Sequence, residues 1–366
     1  MKTAGRRERS VFAVFTADVL LAAFIVLTFA FFHHVLPAIK SRADAAVSQA
    51  AKEAAALQEA FEADHNQAVE ETADAPFLPS APPSADPTEQ TAAVTPEPTP
   101  DNRTPWQIKF EDYFTDETVI TDHSYSSPNV SVNIDTVSTD DGTKKIVYHV
   151  ADIHVASIDC FRTYVSHGAY NYFDTQEITE MDAAVDSIIS IGGDFCTYQQ
   201  TGFLVRNGEV CRNDEAWCDI CVLYEDGTME CKRHYEYTNE AVMAKGALQV
   251  WNFGPSLFDS DGNARNDFYL DVSQTVRYSN PRSAIGYYEP GHYCFVVVDG
   301  RQEGYSDGML LDELAALFHD LGCKCAYNLD GGGSAVMTFC QNKYSSQSNG
   351  ADRALGDILY ICEPEG

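Results

Sequence analysis

Thirty residues, Pro76 to Pro105, hold nine of the chain's 15 prolines, mixed with Ser, Thr, Ala and acidic residues. Such a composition cannot bury a core, and it predicts an extended, semi-rigid spacer of about 3.1 Å per residue where it is polyproline-like. Any compact fold in this 366-residue chain must then lie to one side of the spacer. All 11 cysteines and all three tryptophans fall between Trp106 and Gly366. Residues 106–366 are therefore the expected globular domain, long enough to bury a sizeable core.

The opposite end reads as a membrane anchor. Residues 1–10 carry Lys2, Arg6, Arg7 and Arg9 against Glu8, and Val11 to Phe32 is a run of 22 mostly apolar residues. At 1.5 Å per residue that run is about 33 Å long, enough for a hydrocarbon core of roughly 30 Å. The basic flank predicts a cytoplasmic amino terminus and export of everything after the span. Asp18 interrupts the run, about a third of the way in, where neighbouring apolar residues offset it. A cleaved signal peptide is the rival reading, since Ala43-Asp44-Ala45 is a small-x-small pattern, although the apolar run exceeds the roughly 7–15 residues usual there. Residues 33–75 form the expected helical stalk, with Val47, Ala50, Ala54, Leu57 and Phe61 on one seam. That seam suits either weak self-association or a solvated helix. The predicted order is tail 1–10, transmembrane signal anchor 11–32, stalk 33–75, acidic Pro-rich linker 76–105 and domain 106–366.

The formal charge is -31, and 41 acidic against 16 basic side chains lie within 106–366 alone. A surface this acidic excludes a general nucleic-acid binder and disfavours anionic lipid and polyanionic substrates. A sparsely phosphorylated ligand requires a locally basic pocket.

Within the domain, Val130 to Val137 and Lys145 to Ile158 alternate around Asp140-Asp141-Gly142-Thr143, which predicts a hairpin. Glu180 to Ser190 has helical periodicity. Thr201 to Cys231 reads as short strands with turns at Asn207-Gly208 and Asp226-Gly227. Phe295 to Val298 suits a central strand, Leu310 to Leu321 an amphipathic helix, and Cys325 to Leu329 a strand, which together predict a crossover unit. The expected class is α+β, a mixed β-sheet flanked by helices.

Cys218-x-x-Cys221 and Cys323-x-Cys325 could be zinc or redox pairs, but neither has a matching second pair at finger spacing. Export favours structural disulfides, with buried free thiols as the alternative. The loop Asp259-x-Asp261-Gly262-Asn263 is oxygen-rich and a candidate for structural calcium, yet it lacks the glutamate that completes an EF-hand. No other metal or cofactor is called for.

The most specific segment is Asn328-Leu329-Asp330-Gly331-Gly332-Gly333-Ser334. Three glycines after a buried strand are unfavourable unless the backbone takes unusual dihedrals or something must approach closely. Their amides could form an anion nest, or the segment could be a plain turn. Ser334 lacks the flanks of a nucleophile elbow.

At this segment the chain resembles the phosphodiester glycosidase family. The resemblance is carried in order by Ile191-Gly192-Gly193-Asp194-Phe195, Phe253-Gly254-Pro255-Ser256-Leu257, Pro281-Arg282-Ser283-Ala284-Ile285-Gly286, Val298-Asp299-Gly300-Arg301, Leu311-Asp312-Glu313-Leu314-Ala315 and Asn328 to Ser334. Gly192 stands where the family pattern has Asn, Cys196 where an aromatic is usual, and Ala335 where a second Ser or Thr is common. The resemblance implies hydrolysis of a sugar-1-phosphodiester in a cell-surface glycan or phosphoglycan. It implies Asp330 and Asp194 as the carboxylates near the anomeric carbon, with Arg282, Arg301 and Arg353 at the phosphate. Gly193, Asn328, Ser334 and the amides of Gly331, Gly332 and Gly333 would hold sugar hydroxyls or phosphate. A catalytically silent glycan-binding or exopolysaccharide-assembly module and a serine esterase built on Ser334 are the competing readings.

Overall fold

The computed structural model describes residues 103–215, 218–268, 277–346, 348 and 353–364. The basic tail, the apolar span, the stalk and nearly all of the linker lie outside the described residues. No helix among the described residues is long and apolar enough to cross a membrane.

Three sheets make up the domain. The first has seven strands in the order β1 (Val119–Ile120), β2 (Ser124–Ser126), β3 (Val130–Asp140), β4 (Lys145–Val155), β13 (His292–Val298), β12 (Arg282–Glu289) and β14 (Cys325–Asn328). The second runs β10 (Met229–Lys232), β9 (Ile220–Tyr224), β11 (Ala247–Trp251), β7 (Phe203–Arg206), β8 (Glu209–Asn213). The third runs β16 (Asn342–Lys343), β15 (Met337–Phe339), β6 (Ile189–Gly192), β17 (Asp357–Ile361), β5 (Phe161–Val165). The helices are α1 (Pro105–Lys109), α2 (Ile178–Val185), α3 (Asn239–Ala244) and α4 (Leu311–Asp320).

The expectation of a mixed sheet flanked by helices needs correction. The described domain is mostly β-sheet with few helices, and each strand pair is antiparallel. The expected crossover is present in a split form. β12 pairs antiparallel with both β13 and β14, so those two run the same way with a strand between them and α4 connecting them. The predicted hairpin is β3–β4, paired from Val130↔Val155 to Asp140↔Lys145. Its turn is fixed by Asp141, whose carboxylate accepts the amides of Thr143 and Lys144 at 2.8 Å each.

The helix expected over Glu180 to Ser190 ends at Val185, because Asp186 takes a left-handed conformation at φ 50°. Ile189 to Gly192 then joins β17 and β15, and burial on both faces overrides local helical periodicity there. All three sheets converge on one apolar core, with Ile153 and Phe295 from the first, Leu223 and Trp251 from the second, and Ile189 and Leu359 from the third. The other face of the first sheet is covered by α4 through Leu314 and Phe318. The expected disulfides are not formed, and all 11 cysteines stand as thiols.

Candidate active site

β14 is buried on both faces and delivers Asp330 to the place where the three sheets meet. The amide of Asp330 donates to the Gly193 carbonyl at 3.1 Å, and that of Gly332 donates to the Pro281 carbonyl at 3.0 Å. A Cβ on Gly331 would lie 2.5 Å from the Pro281 oxygen, and Gly332 has φ +64°. These two positions therefore require glycine. The turn also spends its own amides, with Ser334 N bonded to Gly331 O and Ala335 N to Gly332 O at 3.2 Å each. Of the three glycine amides that could form an anion nest, that of Gly332 serves the fold.

Arg353 closes over this turn. Its amide donates to the Gly333 carbonyl at 3.2 Å, its Nε donates to Ser334 Oγ at 2.8 Å, and its guanidinium pairs with the Asp330 carboxylate. The same guanidinium lies over the Phe195 ring, 5.4 Å from its centroid. The cleft that these groups line is narrow, about 10 Å³, far below the roughly 300–1,000 Å³ of small-molecule pockets. A larger cavity around Arg162, Asp186 and Glu363 contains none of these groups. Asp330 points into the cleft with its side chain 14% exposed. Burial raises its carboxyl above the ordinary 3.8, and Arg353 pulls against that shift.

Behind Asp330 lies a buried charge network. Arg206 Nη2 donates to Asp194 at 2.9 Å and its Nε to Asp357 at 3.0 Å, while the second Asp194 oxygen accepts the Asn252 amide at 2.8 Å. Burial pushes the Asp357 carboxyl up to about 7, with the Asp194 charge adding to that and Arg206 opposing it. Gly193 packs against Asp357 so closely that a Cβ there would meet its carboxylate at 2.3 Å. At Gly192, where the family pattern has Asn, a Cβ would meet the Ser334 carbonyl oxygen at 2.4 Å.

The structure thus brings Asp194, Asp330, Ser334, Gly193 and Arg353 to one cleft. Arg301 also borders the glycine turn, at Gly332. Its Nη1 lies 3.1 Å from where a Gly332 Cβ would be, and the guanidinium donates to Asn280 Oδ1 at 2.7 and 3.2 Å. Asp299 anchors that loop, accepting from His149 Nε2 at 3.1 Å, Tyr305 at 2.9 Å and the Ser346 amide at 3.0 Å. Arg282 goes elsewhere. It shares a strand face with Ala284, on the α4 side, and donates to the carbonyls of Met309 and Tyr278. Asn328 is buried and donates to the Gly254 carbonyl at 2.9 Å, so it holds the Phe253–Leu257 loop. Asp259 uses its carboxylate to accept the amides of Asp261 and Asn263 within its own turn.

Residues 180–362 match the family model described as phosphodiester glycosidase. The chain belongs to the phosphodiester glycosidase family. An uncharacterized SPbeta prophage-derived protein of Bacillus subtilis, YomE, is 31% identical over 169 residues, 45% of this chain and 26% of that protein. The chain thus spans about a quarter of the length of that curated relative. In fold, it is similar to the zebrafish N-acetylglucosamine-1-phosphodiester alpha-N-acetylglucosaminidase catalytic domain, auto-inhibited by its pro-peptide. That match has a TM-score of 0.52 at 20% identity over 68% of this chain and 88% of that one. A hypothetical protein from Synechocystis matches with a TM-score of 0.51 at 11% identity, over 64% and 62% of the two chains.

In this phosphodiester glycosidase domain, sequence reasoning missed Arg206, Asp357 and Asn252. One signal was available: Arg206 ends the apolar run Phe203-Leu204-Val205, and a cation buried in such a run demands carboxylate partners. Donor atoms of Asp194, Cys196 and Asp357 lie within 4.8 Å of one another, close enough for a metal ion. Arg206 already bridges the two carboxylates and supplies positive charge there. Ser334 Oγ accepts from Arg353 and lies against the Asp330 carboxylate, and no histidine bonds to it among the described residues.

Proposed function

We propose that this chain is an exported, membrane-anchored hydrolase that cleaves the glycosidic bond of a sugar-1-phosphodiester in a cell-surface glycan, yielding free sugar and a phosphomonoester. The observation that carries the reading is Asp330, a carboxylate open to a cleft and paired with Arg353, within a domain of this family. Bound substrate would exchange Arg353 from Asp330 to the phosphate, whose oxygens match the forked guanidinium donors. Asp330 is then free to face the anomeric carbon, where it stabilises the oxocarbenium-like state, attacks it or activates water. The departing phosphate takes the bonding electrons as a stable anion, with Arg353 and Arg301 beside it, so little help from a general acid is needed. Water supplies the hydroxyl of the released sugar, and its other proton goes to solvent or phosphate. Both Asp194 oxygens are engaged by Arg206 and Asn252, which suits that carboxylate to positioning and to its field on Asp330.

The test is incubation of the full-length chain with an N-acetylglucosamine-1-phosphodiester, measuring reducing sugar and phosphomonoester together. Equal release of both, lost in Asp330→Asn, is the expected result. Glycan binding without turnover would favour the silent module, and turnover unaffected by Asp330→Asn would remove the site assignment.

A further inference from the structure

The cysteine pairs that stand out in sequence are split by the fold. Cys218 and Cys323 go elsewhere, the first beside Asn252 and the second 3.7 Å from Cys294. Their partners Cys221 and Cys325 meet Cys231, so that three sulfurs lie within 4.8 Å of one another. They come from three strands of two sheets. Cys221 and Cys231 face each other across β9 and β10, and Cys325 opens β14, the strand that ends at the Asp330 turn.

We propose that Cys221, Cys231 and Cys325 form a three-thiolate site for a soft or borderline metal ion, with zinc(II) as the fitting divalent ion. Three convergent sulfurs are a donor set such ions select. The cluster has an entry path, because Cys231 and Cys325 line a cavity of about 300 Å³ that also holds Ser256, Arg233 and Lys324. Solvent in that cavity can supply a fourth ligand. The cavity wall mixes two cations, Arg233 and Lys324, with three acids, Glu230, Glu236 and Asp259. The Ser256 hydroxyl, which donates to the Phe258 carbonyl at 2.9 Å, lies against Cys231, and the Cys231 thiol donates to the Ala326 carbonyl at 3.5 Å, a bond that metal binding would replace.

The Cys231 and Cys325 sulfurs are 2.7 Å apart, too close for two packed thiols. A shared zinc would spread them to roughly 3.8 Å, whereas a disulfide would draw them to about 2.05 Å. The third sulfur favours the ion, since a Cys231–Cys325 bond would leave Cys221 buried beside it with no role. A bound ion would tie the second sheet to the strand carrying Asp330.

The experiment uses the reduced full-length chain, loaded with zinc and dialysed against a competing chromophoric chelator, then loaded with cobalt(II) for its spectrum. About one equivalent of retained zinc and a thiolate-to-cobalt charge-transfer band are expected, both lost in Cys221→Ser, Cys231→Ser and Cys325→Ser and kept in Cys211→Ser. No retained metal in the wild-type chain, or retention unchanged by the three serine variants, overturns the site. So does peptide mapping that finds Cys231 and Cys325 joined by a disulfide in protein purified without reductant.

Discussion

At position 193 a Cβ would sit 2.3 Å from the Asp357 carboxylate, so the glycine there admits the buried charge network directly beneath the cleft. Gly193→Ala should destabilise the fold by about 1–3 kcal/mol, as overpacking does, read from chemical denaturation midpoints. A midpoint equal to wild type would show that Asp357 can yield. Asp330→Asn should lower kcat by about 100- to 10,000-fold, the range for a positioned proton-transferring group, while leaving the denaturation midpoint near wild type. The pH profile adds a sign. Arg353 favours the charged form of Asp330, so Arg353→Met should move the acidic limb of kcat/KM upward and raise KM. A limb that stays in place would separate the two residues electrostatically.

The elements that could be read from sequence are those with local signals. The β3–β4 hairpin follows from alternation about an Asp-Gly turn, and α4 from its apolar stripe. The Asp330 turn was legible because consecutive glycines after a strand need a cause. Arg206 and Asp357 were not, since they are 151 positions apart and only tertiary pairing unites them. The same holds for Arg282, whose face is set by which side of β12 meets α4. The segment after α1 is latched to the first sheet by rings, with Tyr113 stacked on His154 at 3.7 Å and His154 on His292 at 3.9 Å. Burial, with the His292 charge, lowers the His154 pKa from 6.5 to about 4, against opposing pulls from Asp152 and Glu289. A depressed histidine contributes stability that is present above its unfolded value and lost as pH falls toward the folded one. His154→Phe should therefore lose less stability than wild type between pH 6.5 and about 4, measured by denaturant titration at each pH. Asp357, raised to about 7, acts in the opposite sense over that window, so the difference between variants carries the reading and parallel curves would contradict it.

For the whole molecule, composition predicts a fold after the proline-rich spacer, and the three sheets of the described residues lie in that region. The predicted anchor and stalk would hold this domain outside the membrane, where a glycan is within reach. A net charge of -31 sets the chemical problem, because an anionic substrate must find cations in a field that repels it. Arg301 borders Gly332 and Arg353 borders Gly333 in the glycine turn, and in the proposed function these two cations meet that need. The central claim is that the bond broken joins the anomeric carbon to oxygen, and that the phosphorus–oxygen bond is left intact. Hydrolysis of an N-acetylglucosamine-1-phosphodiester in heavy-oxygen water, followed by mass spectrometry of both products, tests this most directly. The account predicts the solvent oxygen in the released sugar and none in the phosphomonoester, whereas label in the phosphomonoester would contradict it.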